Sequence, residues 1–280
     1  MAVYDINGTN IDESSGAGQA INYDSVVQSV NHRGFNTIAP ENTIPAFKLS
    51  KQRGFNFVET DISFTSDGVA VLLHDATINR TARNADGSAI ENTINIGGIT
   101  YEQALEYDFG IWKNQRYAGT KIPTLAQFLA LCREIMLHPY IELKDNGNYT
   151  EAQIQSIVDM VRAYGLDGKV SYISFSATYL GYVKNYNSHA ILGLLRSSGT
   201  TGDITTCQNL KTTGNEIFYA PKYTSITDAL CTAYAAANIP LRGVWTVDTA
   251  NAIKALNSYV SGVTSNSLIA GKILYDANIT

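Results

Sequence analysis

Cysteine is scarce and badly placed for chemistry. The 280-residue chain holds three, Cys132, Cys207 and Cys231, too far apart for a Cys-x-x-Cys pair or a zinc spacing. An odd number of separated thiols, each inside a helix-like pattern, reads as reduced and half-buried, and excludes a disulfide framework. A basic surplus is also missing. Lys and Arg number 20 against 25 Asp and Glu, for a net charge of −5 and a pI near 5.4. That excludes binding nucleic acid through a general basic surface, so an anionic ligand would have to meet local cations. No apolar run approaches the ~20 residues of a membrane span. The N-terminus shows no basic region followed by an apolar stretch, so no secretory signal is read there. This leaves a cytoplasmic protein or part of a larger exported assembly. Fixed-length repeats and low-complexity tracts are absent too.

What is present is ordinary globular material, 45% hydrophobic and 16% charged, long enough for one large core. Residues 1–25 are polar and Gly/Ser-rich around Ser14-Ser15-Gly16-Ala17-Gly18, and read as a flexible arm or linker. From residue 26 to 280 strand and helix patterns alternate. Strands are expected near 27–31, 56–63, 69–74, 139–143, 169–174, 190–195, 216–220, 241–247 and 260–264. Helices are expected near 41–53, 124–137, 150–164, 176–187, 203–212, 225–237 and 249–258. The alternation implies a single α/β domain with a parallel TIM (β/α)8 barrel. Residues 76–120 break the rhythm with Asp86-Gly87 and Gly97-Gly98 and hold a short helix near 100–107. They read as an insertion at the top of the barrel, after the second and third strands.

Polar residues with chemical potential gather at the ends of apolar runs, where a barrel carries its site. His32-Arg33-Gly34 ends the first strand and Pro40-Glu41-Asn42-Thr43 follows. Glu59 and Asp61 stand two apart on the next strand, so their side chains share a face. His74-Asp75 ends the third, and Glu142-Leu143-Lys144 a later one. Carboxylates aimed into one space repel unless a cation or proton joins them, and all-oxygen ligation favours Mg²⁺ or Ca²⁺ over zinc. Imidazoles near neutral pH can act as acid or base. Arg and Lys suit phosphate oxygens. His138 and His189 fall outside these motifs and read as surface or packing residues. Asn42 and Thr43 read as local capping residues.

Taken in order, His-Arg-Gly, Pro-Glu-Asn-Thr, Glu-x-Asp, His-Asp and Glu-x-Lys resemble the glycerophosphodiester phosphodiesterase family, within the phospholipase-C-like phosphodiesterases. Ile122-Pro123-Thr124-Leu125 and Val244-Trp245-Thr246-Val247 resemble two further family segments, and the likeness runs from about residue 27 to 263. The resemblance implies metal-dependent hydrolysis of a glycerophosphodiester to an alcohol and a glycerol phosphate. It implies His32 and His74 as an acid–base pair, with their individual roles open. It also implies one divalent cation, Mg²⁺ or Ca²⁺, on Glu59, Asp61 and Glu142, and a phosphate clamp of Arg33 and Lys144. Glu41 either bonds to a catalytic group or favours a helix N-terminus. Trp245 is either a substrate wall or a core residue. The substrate's alcohol group stays open between small headgroup esters and glycerophosphate polymers, and a polymer would need a long open groove. Two rival readings are phospholipase-D-like toxins and phosphoinositide-cleaving phospholipases, and a non-catalytic module that binds a carbohydrate or glycerophosphate polymer in a surface or phage-tail assembly.

Overall fold

The computed structural model describes residues 27–144 and 148–279; the expected arm at 1–25 lies outside them. Seven parallel strands form the frame: β1 (Gln28–Asn31), β2 (Phe57–Phe64), β4 (His138–Glu142), β5 (Ser171–Ser174), β6 (Ile191–Arg196), β7 (Glu216–Pro221) and β8 (Gly262–Ser265). Their order is β7-β6-β5-β4-β2-β1-β8. Residues 241–245 close the ring through isolated bridges, Leu241 to both Tyr219 and Val260, and Val244 to Val263. The expected strand at 241–247 is thus present as bridges, not as a full ladder.

The expected strand at 69–74 needs correcting. Its core, β3 (Ala70–Leu72), pairs antiparallel with Ile62–Phe64 at the C-terminal end of β2 and stays outside the barrel. β2 therefore serves two sheets, with Phe57–Asp61 paired in parallel to β4. A short apolar run reads the same in either direction, which is why the hairpin is invisible in its sequence. The insertion continues from β3 through a four-residue helix α2 (Tyr101–Ala104). It buries its own cluster, which includes Val71, Leu73, Ile78, Phe109 and Ile122.

Helices α1 (Ile44–Gln52), α3 (Leu125–Glu134), α4 (Glu151–Ala163), α5 (Ala177–Tyr186), α6 (Asp203–Leu210), α7 (Asp228–Ala236), α8 (Ala250–Lys254) and α9 (Ala270–Ile279) complete the fold. Thr-x-x-Gln capping boxes start three helices, through Thr100 and Gln103, Thr124 and Gln127, and Thr150 and Gln153. Each satisfies two orphan N–H groups, for about 1 kcal/mol. α3 buries Leu125, Phe128, Leu129 and Cys132, the i, i+3, i+4, i+7 stripe of a helix packed on one face. α1 begins at Ile44 instead of 41, and Pro45 is the proline in its first turn. Inside the ring, Val30, Tyr140, Ile173, Leu195, Phe218 and Ala220 form an apolar plug. Gly193 makes room for it: a Cβ there would lie 2.3 Å from the Phe218 ring. Among the described residues, no helix is long and apolar enough to cross a membrane.

Candidate active site

The C-terminal ends of the strands surround a cavity of about 250 Å³ whose lining includes His32, Arg33, Glu59, His74, Glu142 and Lys144. The apolar Ile173, Phe175, Leu195 and Trp245 also line it. Trp245 stands edge-on to Phe175, and its Nε1–H donates to the Ala220 carbonyl at 2.9 Å. Trp245 therefore both packs and faces the cavity.

Strand register brings the carboxylates together. Asp61 on β2 lies opposite Glu142 on β4, and Glu59 is two residues before Asp61. One oxygen from each of Glu59, Asp61 and Glu142 falls within 4.8 Å of the others. All three are buried, at 2%, 0% and 9% exposure, where an unpaired charge is very costly. Two cations answer them. The Arg33 Nε lies 3.2 Å from Asp61 Oδ2, and Lys144 Nζ lies 3.0 Å from Glu142 Oε1 and 3.4 Å from Asp61 Oδ1. Burial pushes Asp61 up, but Arg33 and Lys144 outweigh it and hold the group at about 2. Burial and the Asp61 charge push Glu142 up to about 7. Glu59 is driven well above the carboxylate range by burial, then by Asp61 and Glu142.

Two cations thus do not balance three carboxylates. Among the described residues, the buried Glu59 Oε1 has no hydrogen-bond partner, and Asp61 Oδ1 and Glu142 Oε1 share the single ammonium of Lys144. The donor set fits a hard divalent cation, and these three residues would hold it.

The loop after β1 is built to serve this cluster. Arg33 adopts φ +55° and Gly34 φ +77°, turning the chain so that the Arg33 N–H donates to Glu59 Oε2 at 2.9 Å. Only glycine fits at 34, since a Cβ would lie 2.7 Å from that of Ala46 on α1. Asn42 corrects the capping reading. Its Nδ2 donates to Asp61 Oδ2 at 2.9 Å, and its Oδ1 accepts from the Thr60 hydroxyl at 2.8 Å. It therefore holds β2's carboxylate in place instead of capping a helix. Thr43 occupies the N-cap position of α1, yet its hydroxyl donates to the Pro40 carbonyl. Glu41 precedes α1 and accepts from Arg33 Nη1 at 3.0 Å, so it is tied to a site residue and not to a helix turn.

The two histidines sit at the cavity with different partners. Nδ1 of His32 is 2.9 Å from Asn266 Oδ1, and its Nε2 is 4.0 Å from Glu59 Oε2. Burial, then the Arg33 charge, lowers His32 to about 4. Nδ1 of His74 is 2.6 Å from Asp75 Oδ1. Asp75 is tied to Arg80, whose Nε donates to Asp75 Oδ2 at 2.5 Å and whose two Nη groups each donate to Glu41 at 2.8 Å. Arg80 thus joins the His74 side of the site to the Arg33 side, and sequence reasoning missed it. The available signal was an arginine shortly after His-Asp in a stretch of small and polar residues. His138 packs its ring 5.1 Å from Phe57 and His189 is exposed, both away from the cavity.

Residues 32–268 match the Glycerophosphoryl diester phosphodiesterase family. The chain is 31% identical over 170 residues to a glycerophosphodiester phosphodiesterase of Caldanaerobacter subterraneus subsp. tengcongensis, covering 61% of this chain and 67% of that one. It is 33% identical over 133 residues to mouse glycerophosphodiester phosphodiesterase 1, covering 47% of this chain and only 38% of the relative. The fold matches an Oleispira antarctica phosphodiesterase solved with its product sn-glycerol-3-phosphate, with a TM-score of 0.74 at 21% identity over 91% of this chain and 98% of the other. With the family matched from His32 past Trp245, this chain belongs to the glycerophosphoryl diester phosphodiesterases.

Proposed function

We propose that this chain hydrolyses small glycerophosphodiesters to an alcohol and a glycerol phosphate, using one divalent cation held by Glu59, Asp61 and Glu142. The observation that carries the reading is the buried, under-neutralised carboxylate cluster, which shares a cavity wall with two histidines and two cations. A bound Mg²⁺ or Ca²⁺ would supply Lewis-acid stabilisation of phosphoryl charge. Arg33 and Lys144 add positive charge on the same wall and orient the phosphate. His32, kept neutral by burial, is suited to accept a proton at Nε2 from the attacking hydroxyl, either water or the substrate's own glycerol hydroxyl. By elimination His74 donates a proton to the departing alkoxide. In the glycerol-hydroxyl route a cyclic phosphate forms first and water then opens it.

A cavity of about 250 Å³ favours a small headgroup ester over a polymer, which needs a long groove. The glycerol phosphate bound by the Oleispira antarctica relative supports the same choice. A non-catalytic module is not favoured: the family and the relatives matched are phosphodiesterases, and His32, Arg33, Glu59, His74, Glu142 and Lys144 line one cavity. The test is hydrolysis of glycerophosphocholine, glycerophosphoethanolamine and a glycerol-phosphate polymer with Mg²⁺, Ca²⁺ or EDTA, using the parent and His32→Ala. Turnover of a small ester that EDTA and the substitution both abolish is expected. Turnover that survives EDTA, or of the polymer alone, would overturn the reading.

A further inference from the structure

The residue that faces His32 from the far end of the chain is held more firmly than a casual contact requires. Asn266 follows β8, and Asp248 follows the closing segment 241–247. The Asn266 backbone N–H donates to Asp248 Oδ1 at 2.8 Å, and its side-chain Nδ2 donates to Asp248 Oδ2 at 2.6 Å. The Ser265 hydroxyl donates to Asp248 Oδ1 at 3.1 Å. On the other side Asn36 Nδ2 donates to Asn266 Oδ1 at 2.5 Å and to the His32 carbonyl at 2.7 Å. His32 itself is pinned by its backbone, whose N–H donates to the Ser265 carbonyl at 2.9 Å.

These partners leave the amide one orientation. A carboxylate only accepts hydrogen bonds, so Asn266 must turn its NH₂ towards Asp248. Its carbonyl oxygen must then face His32, where an oxygen can only accept. The ring nitrogen at that contact therefore carries the proton, and the other nitrogen keeps its lone pair. Free imidazole prefers the opposite tautomer, with the proton on Nε2. We propose that Asp248 and Asn266 are positioning residues that set His32 in the Nδ1–H tautomer and aim the Nε2 lone pair into the cavity. The consequence for turnover rests on the function proposed above, but the tautomer itself does not.

The experiment reads the tautomer directly. Protein labelled with ¹⁵N-histidine is recorded in EDTA at pH 7.5 by long-range ¹H–¹⁵N correlation. The chain has four histidines, and His32→Gln identifies the signal. The parent is expected to show His32 protonated at Nδ1, and Asn266→Ala to shift it towards Nε2–H. In steady-state assays Asn266→Ala should lower kcat by about 10–100-fold with KM changed less than about 3-fold. The exchange variant Asp248→Asn/Asn266→Asp keeps an acceptor facing His32 and a donor–acceptor pair behind it. It should restore the Nδ1–H signal and bring kcat back to within about 5-fold of the parent. A parent protonated at Nε2, or an Asn266→Ala protein that retains the Nδ1–H form, would overturn the proposal. The parent spectrum decides even where a variant does not fold. An Nδ1–H ring in a protein that hydrolyses no diester would overturn the assigned activity and leave the relay standing.

Discussion

Replacing Glu142 with Gln should make the metal-free protein more stable and the metal-loaded protein less so. Glu142 titrates at about 7 in the fold against an ordinary 4.5, through burial first and the Asp61 charge second. Below pH 4.5 both folded and unfolded chains hold the proton and nothing is lost. Between 4.5 and 7 the unfolded chain releases its proton first, so stability falls, and above 7 the cost is complete. At 1.36 kcal/mol per pH unit that cost is about 3 kcal/mol. Gln resembles the protonated acid and avoids it. At pH 8 in EDTA, E142Q should therefore melt about 6–12 °C above the parent, taking 2–4 °C per kcal/mol for a chain of this class. At pH 4.5 the two melting points should converge. Saturating Mg²⁺ or Ca²⁺ should reverse the order at pH 8, because the parent gains the free energy of binding at an intact site. Calorimetric melts at both pH values, with EDTA and with each cation, make the check. An E142Q protein that is no more stable than the parent in EDTA at pH 8 would refute the account of the cluster as a repulsive site awaiting a cation.

Two further substitutions separate scaffold from chemistry. Gly34→Ala places a Cβ 2.7 Å from that of Ala46 and 2.9 Å from its backbone, at φ +77°; urea unfolding should show a loss of about 2–4 kcal/mol. Arg80→Ala removes a side chain that is 44% exposed, so its stability should stay within about 1 kcal/mol of the parent's, while kcat drops by about 10-fold as Glu41 and Asp75 lose their shared anchor. A large drop in melting temperature with unchanged kcat would show that Arg80 is structural.

Much of this site is legible in sequence because its members come in short runs at strand ends. Glu59 and Asp61 share a face by the two-residue period, and parallel register then places Glu142 beside Asp61. Where reading failed, a partner distant in sequence decides. Asn42 looks like a cap because Asn often is one, and only the fold brings it against Asp61 and Thr60. Arg80, Asp248 and Asn266 belong to no motif; each is an ordinary polar residue until the ring closes. Direction is lost in the same way. The apolar run before His74 has the composition of a barrel strand, but it folds back on the extended end of β2 as an antiparallel partner. The segment 241–247 takes its place in the ring, but its pairing is reduced to single bridges.

The pairing of the first strand with the last has a consequence for synthesis. β1 takes β8 as a neighbour over its whole length, from Gln28 opposite Gly262 to Asn31 opposite Ser265. The acids, cations and imidazoles that line the cavity all lie before residue 145, so a chain half emerged from the ribosome already carries them. It cannot yet hold them in order. His32 waits on Ser265 and Asn266, more than 230 residues later, and contacts of such separation are among the slowest to form. On the proposed mechanism, competence therefore arrives late: a chain cut short before β8 is expected to turn over no phosphodiester even with its reactive groups present.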